Sequence, residues 1–107
     1  MRRAAVDANQ SEIVAALRKA GATVTPTHQA GAGFPDLAVG YRGATYLLEV
    51  KDGAKPPSAQ KLTDPQVRWH GQWRGHKAIV NSVDMALEAI GVITTQNPNK
   101  TTQKVTV

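Results

Sequence analysis

The chain has 107 residues, 41% hydrophobic and 20% charged, the make-up of one globular domain that folds without a covalent staple. It has no cysteine, which excludes disulfides and thiolate metal sites and makes a reducing cytoplasm the expected compartment. Thirteen Lys and Arg against eight Asp and Glu give a net charge of +5, which favours polyanionic partners such as nucleic acid.

The opening MRRAAVDANQ meets Asp7 before any apolar stretch forms, so it does not read as a secretory signal. No apolar run reaches membrane-spanning length, and no membrane partner is expected. In ANQSEIVAALRKAG, Ile13, Leu17 and Ala20 share one helical face, Asn9 stands where a cap belongs and Gly21 stops the helix. ATVTPTH is β-branched but contains Pro26, which lacks a ladder amide, and reads as a short edge strand. After the loop QAGAGF come two strand-like runs, DLAVGY and TYLLEVK, joined by a Gly-containing turn and expected to form an antiparallel hairpin. DGAKPPSAQ reads as a mobile surface loop.

LTDPQ announces a second helix, with Thr63 or Asp64 as cap and Pro65 at the first helical position, ending before Gly75. HKAIVNS reads as a buried strand and VDMALEAIG as a short helix capped by Ser82 and closed by Gly91. Residues 1–93 are thus one domain. Residues 94–107 form a polar tail, whose KVTV run could add a strand to an edge or be exchanged with a partner. The order helix, three strands, helix, strand, helix predicts an α/β sandwich on a mixed sheet.

A turn centred on Arg42 and Gly43 sets Asp36 opposite Glu49, with Cβ atoms about 4.5 to 5.5 Å apart on one face. The period of two adds Lys51 to that face and sends Tyr46, Leu48 and Val50 to the other. One reading makes Glu49 and Lys51 part of a solvated strand face and Asp36 a polar loop residue. Against it, Leu47, Leu48 and Val50 mark a central strand, where an unpaired carboxylate is expensive to bury. Two carboxylates with the Val50 carbonyl beside them suit Mg²⁺ or Mn²⁺. Lys51 would stand where it polarises an attacking water and offsets charge developing on a phosphate.

Pro35-Asp36, twelve residues, then Glu49-Val50-Lys51 resembles the signature of the PD-(D/E)XK nuclease superfamily. GFPDL (33–37), LLEVK (47–51) and LTDPQVRWHGQW (62–73) further resemble its VRR-Nuc branch, including small stand-alone phage and bacterial members that act like Holliday junction resolvases. The resemblance covers about residues 9–90. The doublet by itself is short; its placement across a hairpin followed by the Gln66 helix makes it specific.

The resemblance implies a restriction-endonuclease-like fold and a Mg²⁺-dependent endonuclease acting on branched or duplex DNA. Asp36 and Glu49 would be metal ligands, the Val50 carbonyl an extra ligand, Lys51 the catalytic lysine and Gln66 a supporting site residue. Glu12 on the first helix would approach the metal, although Asn9 to Glu12 also has the spacing of a capping box. Gln66 could equally serve as capping partner of Thr63, yet it shares a helical face with Trp69 and Trp73, which read as core.

Gly31 and Gly33 fall short of a dinucleotide fingerprint and would instead give the loop backbone room to approach DNA. His28, His70 and His76 lack ligand spacing. Lys51, Lys55, Lys61, Arg68, Arg74, His76 and Lys77 would supply phosphate contacts. One site cuts one strand, so cleaving two calls for a homodimer. The alternative function is a non-catalytic nucleic-acid-binding protein on the same scaffold.

Overall fold

The computed structural model describes residues 6–92. Its elements run α1 (Gln10–Lys19), β1 (Thr23–Pro26), β2 (Leu37–Tyr41), β3 (Ala44–Val50), α2 (Asp64–Gln72), β4 (Lys77–Val80) and α3 (Val83–Ala89). The four strands lie side by side in chain order; only β3 and β4 are parallel, so the sheet is mixed and the fold is α/β.

The hairpin turns on Arg42 and Gly43, whose φ values of 50° and 82° give the paired positive conformations that match the twist of two antiparallel strands. Tyr41 pairs with Ala44 and Leu37 with Leu48, which is the register expected from the sequence. Pro26 lies at the end of edge strand β1, where its missing amide disturbs no central ladder.

This register divides the sheet by side-chain parity. Val24, Leu37, Val39, Leu48, Val50 and Val80 point to one face and pack with Ile13, Val14 and Leu17 of α1 and with Ala86 and Ile90 near α3. Glu49, Leu47 and Lys77 belong to the other face, which α2 approaches. Strand β3 is central and buried on both faces from Leu47 to Val50, so it tolerates a carboxylate only where other groups converge on it.

Four expectations are corrected. The strand β4 is an edge strand with Lys77 and Ile79 exposed, because α2 leaves part of its face uncovered. Residues 57–60 of the surface loop form a 3₁₀ turn, held through the Gln60 side chain, which donates to the Lys55 carbonyl and accepts from Asn81. Asn9 makes no cap bond; its amide donates to the carbonyls of Lys51 and Asn81, and the Asn9 to Glu12 capping box does not form. Trp69 and Trp73 lie outside the buried core, Trp73 at 39% exposure. The tail, 94–107, lies outside the described residues. No helix among the described residues is long and apolar enough to cross a membrane.

Candidate active site

The site is built where the hairpin ends and α2 begins. Asp36 immediately precedes β2, and its Oδ2 accepts from the Val50 amide at 2.8 Å, which pins the carboxylate across the end of β3. Thr27 holds the same segment from the other side, its amide donating to the Asp36 carbonyl and its hydroxyl to that of Pro35. Glu49 and Lys51 alternate with Val50 along β3. The Lys51 backbone is held twice: its amide donates to Val80, and its carbonyl accepts from Asn9.

Gln66 joins these groups. Its Nε2 donates to Glu49 Oε2 at 2.9 Å, and its Oε1 accepts from Lys51 Nζ at 3.0 Å and from the Thr63 amide at 2.9 Å. Lys51 Nζ stands 3.6 Å from Glu49 Oε2. The Gln66 amide in turn donates to the Thr63 hydroxyl, completing a capping box. The two roles read from the sequence are therefore held together: the side chain that caps α2 also aligns the lysine with the glutamate.

Glu49 is 2% exposed, and its second oxygen, Oε1, is buried with no hydrogen-bond partner. Burial, then the nearby Asp36 carboxylate, pushes its pKa from 4.5 up to about 8, with Lys51 opposing. A lone buried oxygen facing like charge needs a proton or a cation. The donor set fits Mg²⁺ or Mn²⁺, since both carboxylates and the Val50 carbonyl offer hard oxygens. Among the described residues no group of three or more His, Cys, Asp or Glu is gathered, so the acidic set is the Asp36 and Glu49 pair.

Glu12 does not join them. It is exposed on the first turn of α1, which packs on the opposite sheet face, and it lines a cavity with Asp52, Asn81 and Asp84. Of the basic residues, Lys51 is buried in the site, Lys55 pairs with Asp7 at 3.7 Å, and Lys77 donates to the His70 and Trp73 carbonyls that end α2. Lys77 is thus committed to closing a helix, a use its position four residues after Trp73 does not announce. Lys61, Arg68 and Arg74 are exposed. His76 lies against Tyr46, ring centroids 4.8 Å apart.

Sequence reasoning missed two neighbours. Asn9, read as a cap, clamps Lys51; nothing in its spacing separates these uses. His70 is 9% exposed with Nε2 unpartnered, and burial followed by Lys77 and Lys51 lowers its pKa. Its place four residues after Gln66, on the same side of α2, was the available signal.

Replacing Gln66 separates its two uses. Gln66→Glu keeps a residue able to form the capping box but sets a third carboxylate against Glu49. Metal-free thermal stability is expected to fall below that of wild type at pH 8, because buried Glu49 loses its amide donor and gains like charge. A Gln66→Glu variant as stable as wild type at pH 8 would reduce Gln66 to a helix cap. Protein-family models, curated proteins and solved structures gave no match to this chain.

Proposed function

We propose that the protein is a metal-dependent DNA endonuclease on a restriction-endonuclease-like α/β sandwich of the PD-(D/E)XK type. The observation that carries this reading is buried Glu49 beside half-buried Asp36, with one Glu49 oxygen unpartnered and Lys51 held next to it by Gln66.

Asp36, Glu49 and the Val50 carbonyl would hold Mg²⁺. When bound, that ion supplies Lewis acidity toward a phosphate oxygen and toward attacking water. The Val50 amide fixes Asp36 so that its carboxylate does not swing away, and Gln66 keeps one Glu49 oxygen occupied so that the other is directed to the ion. Lys51 Nζ, held by Gln66, would stand against a phosphate gaining negative charge. Lys61 and Arg68 would hold the flanking backbone without reading bases. Branched DNA is the proposed substrate and a homodimer the proposed assembly, since two strands need two sites.

The test is cleavage of a labelled four-way junction and a linear duplex of matched sequence, with Mg²⁺ or EDTA, by wild type and Glu49→Gln. Junction cutting that requires both Mg²⁺ and Glu49 is expected. Equal cutting of both DNAs would keep the nuclease and remove the preference for branches. Tight, salt-sensitive binding without cutting would leave a DNA-binding scaffold and sink the enzyme.

A further inference from the structure

We infer that Trp69 and Trp73 form a stacking platform for an unpaired nucleobase, so that the DNA presented to this site carries a single-stranded stretch. The inference rests on the nuclease reading for its placement beside a reacting phosphate. The stacking itself does not depend on cleavage.

The two indoles are parallel to within 17°, with centroids 4.9 Å apart, which is the spacing and tilt of stacked rings. Phe34 meets Trp69 edge-on, with centroids 5.4 Å apart. These are the only tryptophans and the only phenylalanine in the chain, and none belongs to the buried core. A chain with so few large aromatics ordinarily spends them on packing, yet Trp73 is 39% exposed at the end of α2.

The row also begins and ends in useful places. Phe34 is two residues before Asp36, and Trp69 is one helical turn beyond Gln66, which touches Lys51 and Glu49 directly. A groove beside Trp69 is lined by Ala32, Pro65, Gln72 and exposed Arg68, and exposed Arg74 follows Trp73 in the chain. Aromatic faces with guanidinium groups alongside suit a strand whose base is free to stack while its phosphate meets cations. A paired duplex has its base faces covered and cannot use them.

Gly75 preserves this arrangement. A Cβ there would stand 2.8 Å from Trp73 Nε1, so glycine lets the indole lie close over the chain.

Both tryptophans belong to the platform, so the whole indole emission of the protein reports on it. The experiment titrates metal-free wild type in EDTA with a short oligo-dT and with an abasic backbone of equal length. Quenching by oligo-dT and about tenfold tighter binding than to the abasic strand are expected. Trp73→Ala should bring oligo-dT down to the abasic affinity, and Trp73→Phe should retain most of the difference. Equal affinities without quenching would overturn the platform, as would a Trp73→Ala variant that binds like wild type. The same result would follow if a second copy or another segment of the chain covered the rings. Base-dependent binding by a protein that cuts nothing in Mg²⁺ would uphold the platform and remove the nuclease. Mg²⁺-dependent cutting with base-independent binding would do the reverse.

Discussion

Raising the pH of the metal-free protein from about 5 to 8 is expected to lower its unfolding free energy by on the order of 4 kcal/mol through Glu49 alone. In the folded chain this carboxyl keeps its proton up to about pH 8, whereas in the unfolded chain it ionises near its ordinary value of 4.5. Between those values the folded state binds more protons than the unfolded state, so stability falls as pH rises. The stabilisation is fully present below pH 4.5 and is lost on passing through pH 8. Other carboxylates contribute slopes of their own, so the measurement that isolates this one compares wild type with Glu49→Gln. Chemical denaturation at pH 5 and pH 8 in EDTA should give similar stabilities at the lower pH and a more stable variant at the higher.

The same comparison bears on the cation. Mg²⁺ at pH 8 should restore wild type, because binding replaces the proton that Glu49 otherwise keeps, and should do little for Glu49→Gln. Apparent Mg²⁺ affinity should rise with pH up to about 8, as proton and ion compete for one carboxylate. A wild type whose pH dependence matches that of Glu49→Gln would mean that Oε1 finds a partner in solution. Glu49 would then need no cation at this position.

The part of the site that was legible in the sequence lies on the hairpin. A two-residue turn and a side-chain period of two leave little freedom, so the position of Arg42-Gly43 sufficed to bring Asp36 to the end of β3 and to put Glu49 and Lys51 on one face. The same parity explains why Glu12 could not be placed. Its helix buries Ile13 and Leu17 against the face formed by Leu48 and Val50, so a residue of α1 reaches the other face only around the strand ends. Periodicity shows that α1 has an inner face but not which side of the sheet receives it. The tryptophans failed for a related reason. Spacing of three and four along α2 identifies one shared face, but how far the sheet extends beneath that face is set by β4, a short edge strand. Asn9 and Lys77 make contacts to carbonyls far along the chain or past a turn, and such contacts leave no local pattern.

Gly33→Ala should be the most damaging small substitution in the molecule, lowering Tm by about 15 °C or more. Two costs add at this position. Its φ of 82° is a left-handed conformation that costs a side-chain-bearing residue about 1–2 kcal/mol, and a Cβ would stand 2.3 Å from the Pro65 carbonyl oxygen and 2.8 Å from the Gln66 amide nitrogen. Those atoms are backbone at the start of α2, so no rotamer change relieves the overlap and the helix itself must move. The room expected at this glycine for DNA is in fact filled by α2. That contact spaces the loop leading to Asp36 from the helix carrying Gln66, so a shift there separates the two halves of the site. For the proposed nuclease, cleavage by the folded fraction should therefore fall along with stability. Gly43→Ala is the control, having the same φ of 82° but nothing within 4 Å of an added Cβ, so it carries the conformational cost alone. Should the two variants unfold at the same temperature, the close approach of loop and helix would not be what sets this site, and the spacing of Asp36 from Gln66 would need another cause.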